Sequence, residues 1–436
     1  MTDVRTEPTG TITPAGTPTV VWPGLQPRLL RTADGVEDYA DYVGAGGYSD
    51  LDDPDSLLDE VRVSGLLGRG GAAFPLAVKL RTVRDAGRSG TRTVVLANGE
   101  EGEPASVKDK WLLRNRPHLV LDGVRLAARI VGADRAYVYV SDPHSAHAVR
   151  DALQSAPLAG VTVDVVSVRA GYVAGEESAA VRAVNGGPAK PTDKPPRPFQ
   201  EGVHGLPTLV SNVETLANLP FVHRHGGRTY REVGTEASPG SFLATVTGAG
   251  RPPALYELPH GVPVPELLDL HGVSTDEVRG VLMGGYFAGL INRAVLDATL
   301  DHETLRARGT ALGCGALAIL TEDCPVAVAA AVMAYFDQEN AGQCGSCFNG
   351  TAAMSAVTTA LRDGVATGED LARLERWSVV LRGRGACATL DAATNVAASL
   401  LKQFPDLVAD HVAGACDPCR TSAYGATRPY EVEMVS

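Results

Sequence analysis

Residues 93–104 read Thr93-Val94-Val95-Leu96-Ala97-Asn98-Gly99-Glu100-Glu101-Gly102-Glu103-Pro104. The first five carry no charge, are too few for a stable helix and are rich in β-branched side chains, which predicts a strand buried on both faces. The run then stops at an amide, two glycines and three carboxylates, residue types that turn the chain into a loop. A strand of this kind belongs to a parallel sheet, and such sheets gather their ligands at the carboxyl ends of the strands.

The same alternation continues on both sides. Upstream, Asp53 followed by Pro54 reads as an N-cap and first helical residue, with Leu57 and Val61 one turn apart in an amphipathic helix through Ser64. Downstream, helices at 117–131 and 145–154 alternate with strands at 136–141 and 161–168, and Gly175-Glu176-Glu177 opens another helix. This is the pattern of an α/β domain. The Pro-rich, basic stretch Lys190–Pro198 must lie extended on the surface. From Ser241 short strands, clearest at Phe242–Thr247, surround one helix at Val264–Leu270 and predict a small α+β module. From Val326 onward Ala-rich helical segments at about 326–339, 351–363, 371–380 and 390–403 predict a bundle. The resulting division is a disordered Thr-, Pro- and Gly-rich tail over 1–26, then 27–240, 241–325, 326–420 and a tail over 421–436.

A chain of 436 residues is too long for one compact core. Its net charge of −12 and pI near 5.3 leave nothing general to attract nucleic acid or an anionic membrane surface. The amino-terminal residues lack the basic start and apolar core of a signal peptide, and no apolar run is long enough to insert directly into a bilayer. All seven cysteines lie between Cys314 and Cys419, a distribution that fits metal ligation or free thiols in a reducing cytoplasm better than a disulfide framework.

Four loops have the makings of a nucleotide site. Gly65, Gly68, Gly70 and Gly71 precede a predicted helix, where backbone N–H groups can close around a phosphate, and Lys79 can add a cation. The spacing is not G-x-G-x-x-G, so the design differs from the usual dinucleotide fingerprint. Asn98 through Glu103 meets matching amides and acids at Gly175-Glu176-Glu177 and Ser211-Asn212-Val213-Glu214-Thr215. Asparagine suits the carbonyls and ring nitrogens of a flavin, and carboxylates can accept ribose hydroxyls. In the helical region Cys344-x2-Cys347, with Cys387 forty positions later, makes three quarters of an iron–sulfur site; Ala341 stands where the fourth thiol of a C-x2-C-x2-C run belongs. Cys314 and Cys324 flank an apolar run and read as buried small side chains.

In order, these pieces resemble the NADH-binding flavoprotein subunit of respiratory NADH:quinone oxidoreductase and the related diaphorase subunits of NAD-linked hydrogenases and formate dehydrogenases. The matching segments are Gly65–Pro75 with Lys79, Asn98–Pro104 with Lys108-Asp109, Gly175–Glu177, Pro207-Thr208 with Asn212–Leu216, Leu255–Glu257, and Gly342–Cys347 with Cys387. The resemblance implies a Rossmann-like FMN domain, a ubiquitin-like β-grasp (SLBB) module and a helical bundle with one [4Fe–4S] cluster. It assigns FMN to Gly68, Gly70, Lys79, Asn98, Glu100, Gly175, Glu176, Asn212 and Thr215, and the nicotinamide nucleotide to Gly71, Phe74, Glu101, Glu103 and Glu177. No acid or base is needed, because a hydride moves directly between two rings; Glu101 and Glu177 act by positioning.

The chain departs from the family at three places. Thr82 and Arg197 replace aromatic residues that hold the adenine, leaving Phe74 as the retained ring, and Arg197 can stack on adenine or meet a 2′-phosphate. NADH is preferred over NADPH because Glu101 and Glu103 would repel that phosphate. At Ala341 the open alternatives are no cluster, or a cluster completed by Cys416, Cys419, a partner's thiolate or water, or reduced to three irons. The expected function is an FMN oxidoreductase passing electrons from NAD(P)H to a ferredoxin-like or other iron–sulfur partner within a hetero-oligomer. Its rivals are a cluster-free flavin reductase and a non-catalytic docking subunit.

Overall fold

The computed structural model describes residues 17–31, 35–421 and 424–434. Among these residues ten strands form two sheets: β1 (Thr19–Val21), β2 (Val94–Asn98), β3 (Arg135–Val140), β4 (Thr162–Ser167), β5 (Thr208–Asn212), β6 (Ser241–Gly248), β7 (Ala254–Pro259), β8 (Gly280–Met283), β9 (Leu290–Asn292) and β10 (Ala316–Leu320). The first sheet runs β4-β3-β2-β5 and is parallel throughout. Val94, Val95, Leu96 and Ala97 are all buried, as a central strand covered on both faces requires. The register sets Asn98 opposite both Tyr139 and Asn212, so two asparagines stand side by side where β2 and β5 end.

The expected helices over 117–131 and 264–270 occur with those bounds. Pro117 fills the first turn of the former, where its missing N–H costs nothing, and Gly132 in the left-handed region (φ 75°) ends it. Strand β5, by contrast, is not announced by its sequence. Five residues after a proline become a strand because β2 supplies the hydrogen bonds.

The second sheet, β1-β7-β6-β10-β8-β9, mixes parallel and antiparallel pairs. Its first strand corrects the expected tail over 1–26: Thr19–Val21 pairs with Leu255–Glu257 along an open edge, while residues 1–16 lie outside the described residues. Glu257 of β7 is fully buried and accepts the N–H groups of Arg28, Leu29 and Leu30 at 2.8–3.0 Å. One carboxylate thus ties the amino-terminal segment to the sheet.

Beyond β10 follow helices at Pro325–Glu339, Gly345–Arg362, Gly368–Val380, Thr389–Gln403 and Pro405–Ala413. Their apolar core is continuous with Leu282, Leu290, Ala316 and Leu320 of the second sheet. Cys344 sits at the N-cap of the second of these helices. No helix among the described residues is long and apolar enough to cross a membrane.

Candidate functional site

The loop from Gly65 to Pro75 is closed at its base. Gly68 N–H donates to Phe74 O at 2.9 Å and Leu76 N–H to Leu66 O at 3.0 Å, so Gly68–Phe74 stands out as a tight lobe before the Leu76–Arg88 helix. Arg69 anchors it: its N–H donates to Thr215 Oγ1 (2.8 Å), and its buried guanidinium to Ser241 O (3.0 Å), Tyr230 Oη (3.2 Å) and His260 Nε2 (2.7 Å). At Gly70 a Cβ would stand 3.2 Å from Cβ of Asn212, and at Gly71 3.0 Å from the ring of Phe287. Only glycine lets this lobe lie so close to both neighbours.

Between the lobe and the carboxyl ends of β2 and β5 lies a cavity of about 510 Å³, lined by Gly68, Gly70, Gly71, Phe74, Lys79, Asn98, Gly175, Glu176, Glu177, Asn212 and Thr215. Four separate loops therefore converge as the sequence leads one to expect, and the volume is that of a small-molecule or cofactor site. Asn98 Nδ2 donates to Gly175 O at 2.7 Å, locking two of the loops together. Asn212 caps the helix that follows it through Glu214 N–H (3.0 Å) and donates to Asp109 at 2.6 Å. Behind it Lys108, wholly buried, bonds Asp109 (2.7 Å) and Glu214 (2.9 Å). Burial works against the Lys108 ammonium, but Asp109 and Glu214 outweigh it and hold its pKa above the usual lysine value.

Lys79 is the cation the cleft offers a ligand. Its Nζ donates to Val210 O at 3.1 Å, and burial lowers its pKa, opposed by Glu177. Glu176 caps its own helix at Ser178 and Ala179 and pairs with Lys194, whose Nζ is 3.6 Å from Glu177. A second cavity of about 520 Å³ continues past Phe74, Lys79 and Glu177 to Thr82, Arg197 and Phe199. Thr82 and Arg197, the two departures at the adenine positions, thus face one hollow. Phe199, not among the residues expected from the sequence, brings a ring there; its only signal was the Pro-Arg-Pro-Phe order.

Three predicted ligands are not in the cleft. Glu100 turns behind the loop to accept Ser141 Oγ and the Gly171 N–H, Glu101 accepts Ser106 Oγ (2.5 Å) and the Lys110 N–H (3.0 Å), and Glu103 accepts the Tyr286 N–H (3.0 Å). The reason is unsatisfied backbone: the start of the helix Lys108–Asn115 and the turns at Gly171 and Tyr286 expose N–H groups that these carboxylates cap. Glu101 and Glu103, so placed, no longer weigh against a 2′-phosphate.

Burial pushes Glu103 up from 4.5 to about 8, with the Tyr286 N–H opposing, and its Oε1 has no partner. Between those pH values the folded chain holds a proton the unfolded chain has lost, so this group makes stability fall as pH rises. Glu103→Gln keeps the acceptor and removes the charge. It is expected to be more stable than the parent by about 1–3 kcal/mol at pH 8 and equal to it near pH 4.5, by denaturant titration. The KM for a dinucleotide should not change. A raised KM would return Glu103 to the cleft.

The first cavity also reaches Tyr172, Phe287 and the segment Cys387-Ala388-Thr389. Cys347 is buried beside Cys387 and Cys344; burial first, and then those two thiols, push it up to about 12. Ala386 N–H points at Cys344 Sγ (3.4 Å). Cys387 therefore stands in the cleft wall, with Cys344 and Cys347 near it but not lining the cavity. Ala341 offers no side-chain donor, and its carbonyl accepts Lys190 Nζ at 2.8 Å. Cys416 and Cys419 are not the missing ligand: they gather with Cys324 and His411 instead. A wider hollow of about 720 Å³ by Arg28, Arg31, Arg116 and Arg224 is away from these loops, its guanidiniums bonded to Glu37, Asp41 and backbone carbonyls.

A parallel sheet with a glycine lobe, paired asparagines and a half-buried lysine at its carboxyl edge, and a thiol in the same wall, defines a flavin-nucleotide oxidoreductase. Residues 61–221 match the Nuo51 FMN-binding domain, and residues 327–411 match the NADH-ubiquinone oxidoreductase-F iron-sulfur binding region. The F 2 subunit of the NADH-quinone oxidoreductase of Rhizobium meliloti is 31% identical over 407 residues, covering 87% of this chain and 96% of the relative. The chain belongs to the family of NADH-quinone oxidoreductase F subunits. It is 30% identical to the mitochondrial NADH dehydrogenase [ubiquinone] flavoprotein 1 of Dictyostelium discoideum, covering 82% of this chain and 79% of that one. Among solved structures, an NAD+-reducing [NiFe]-hydrogenase in the air-oxidized state superposes with a TM-score of 0.75 at 30% identity. That match covers 82% of this chain and 63% of the hydrogenase chain. The protein is thus an oxidoreductase of the NADH dehydrogenase flavoprotein type, with an FMN domain and an iron–sulfur region.

Proposed function

We propose that this chain takes electrons from NADH onto FMN in the first cavity and delivers them through Cys344, Cys347 and Cys387 to an iron–sulfur partner. The observation that carries this reading is that Cys387 and the glycine lobe line one cavity. FMN, when bound, accepts a hydride and gives up electrons singly, which is what joins a nicotinamide to an iron–sulfur centre. The residues fit it. Gly68, Gly70 and Gly71 bring backbone against the ligand, Lys79 offers a half-buried ammonium with one carbonyl partner for a phosphate, and Asn98 and Asn212 present amides at the sheet edge. Thr215 acts through Arg69, and Gly175 and Glu176 shape the far wall. Glu100 supports Gly171 from behind. Phe74, Glu177, Arg197 and Phe199 form the dinucleotide's approach, and excluding water there keeps the transfer between the two rings.

Three thiols fit three corners of a [4Fe–4S] cluster, with the fourth corner at Ala341 left to a ligand other than cysteine. We assign the second sheet to a ubiquitin-like β-grasp (SLBB) module, joined at its edge by Thr19–Val21, and the five helices to an iron–sulfur bundle, with the division of the chain from residue 27 onward as read above. Phe348 next to Cys347, and Val379 and Val380 on the following helix, are exposed. An apolar rim beside the thiols supports docking of a ferredoxin-like protein within a hetero-oligomer.

Anaerobic titration of the FMN-loaded chain with NADH tests this. One equivalent is expected to bleach the flavin absorption, and Arg197→Ala to raise the dinucleotide KM about 5–30-fold with kcat little changed, the loss of one stacking contact of about 1–2 kcal/mol. Flavin that stays oxidised would refute the reading. Full bleaching without iron in the protein would instead support the cluster-free flavin reductase that Ala341 allows, and a chain with neither flavin nor iron would support the docking subunit.

A further inference from the structure

Four donors that the electron path does not use meet at the other side of the helical region. Cys324, His411, Cys416 and Cys419 bring their sulfur and nitrogen atoms within 4.8 Å of one another. They come from three places: Cys324 stands at the N-cap of the Pro325–Glu339 helix, His411 lies in the Pro405–Ala413 helix, and Cys416 and Cys419 flank the start of the short Asp417–Thr421 helix as a C-x2-C pair. Cys324 and His411 are buried, the latter completely.

The imidazole is already set as a ligand. His411 Nδ1 lies 2.8 Å from Leu361 O, and only a protonated Nδ1 can make that bond, so the Nε2 lone pair faces the thiols; Cys324 Sγ is 3.4 Å from it. Metal–ligand bonds of about 2.3 Å to sulfur and 2.0 Å to nitrogen in a tetrahedron put a sulfur and a nitrogen roughly 3.5 Å apart. The observed pair fits that edge. A four-iron cubane does not fit, because four irons and four sulfides would have to lie between its ligands. The match to the iron–sulfur binding region also ends at residue 411, before the C-x2-C pair.

We propose that Cys324, His411, Cys416 and Cys419 bind one zinc ion in a closed Cys3His site, separate from the iron–sulfur centre and structural in role. Sulfur and imidazole in a tetrahedron select zinc among common divalent ions, and four protein ligands leave no position for a substrate. The site fixes the chain where it returns toward the flavin domain. Tyr430 Oη donates to Asp323, the neighbour of Cys324, at 2.6 Å; Tyr286 Oη donates to Pro429 O at 2.5 Å; and Val432 N–H donates to Pro104 O at 3.0 Å. The strap over residues 424–434 thus runs from the zinc site to the end of the Asn98–Pro104 loop.

The test is metal analysis of the purified full-length protein, passed over a chelating resin, together with zinc-edge X-ray absorption of the unaltered chain. One zinc per chain with three sulfurs and one nitrogen is expected. Cys416→Ser with Cys419→Ser should lower zinc at least tenfold and leave iron and flavin in place, while Cys344→Ser with Cys387→Ser should remove iron and leave zinc. Should the double variant fail to fold, the absorption spectrum of the unaltered protein still decides. No zinc with these thiols free to a thiol reagent, a disulfide among them, or iron at these ligands would each overturn the proposal. Flavin and iron are measured separately, so none of these results bears on the electron path.

Discussion

Gly70→Val is expected to lower FMN affinity at least 100-fold while the protein stays folded. A Cβ at this position would already stand 3.2 Å from Cβ of Asn212, and Asn212 cannot move aside, being held by Asp109 and by the N-terminus of its own helix. The two γ-methyls of valine must therefore turn into the cavity, where the ligand's closest approach to backbone is proposed. Backbone strain plays no part, since Gly70 is not in the left-handed region. Overpacking of this kind costs about 1–3 kcal/mol of stability, a fall of a few degrees in a domain of this size. The lost affinity corresponds to about 2.7 kcal/mol or more. Gly70→Ala, whose single methyl needs the neighbour to give by a few tenths of an ångström, should cost about tenfold. Fluorescence titration with FMN and a thermal melt check both; an alanine and a valine variant that bind as well as the parent would show that the flavin does not lie against this lobe.

Cys387→Ser is expected to bring iron to background and slow electron transfer to an iron–sulfur acceptor at least 100-fold, with flavin content and NADH-dependent dye reduction within about threefold of the parent. The split follows from geometry. Cys387 lines the cavity from a segment separate from the glycine lobe and β2, so its loss leaves the phosphate and ring contacts proposed for them in place. With Ala341 already lacking a thiol, removing one of three leaves two, too few to hold a cubane. The reciprocal change, Ala341→Cys, is expected to raise iron content or its persistence in air, since position 341 stands three residues before Cys344 and is partly exposed beside it. Iron analysis and low-temperature electron paramagnetic resonance of the reduced protein read both variants. Unchanged iron in Cys387→Ser would remove that thiol from the centre.

Much of the cleft was legible because it rests on local rules. Asn98 closes a buried run, and a residue at the end of a central parallel strand points to the ligand edge whatever the rest of the chain does. The Gly65–Pro75 lobe was legible for the same reason, since so many glycines before a helix need a close approach to explain them. The carboxylates were not. Glu100, Glu101 and Glu103 have the composition of ligands, and whether a carboxylate faces a cleft or caps a backbone N–H depends on which N–H groups the fold leaves open nearby. Here those were at Gly171, Lys110 and Tyr286, each contributed by a loop or helix start that the side chain reaches only after folding. Strand β1 and Phe199 were hidden likewise, one needing the edge of β7 and the other a hollow shared with Arg197.

By itself the order of residues determined the alternating α/β layout, the four loops that could hold a nucleotide, the thiol triad and the gap at Ala341, because periodicity, caps and glycine spacing act over a few residues. Only the tertiary structure decided that Cys387 lines the same cavity as the glycine lobe and that Cys324 and His411 join Cys416 and Cys419. Donors far apart along the chain become neighbours through helix packing, and no local pattern encodes which side chains that packing brings together.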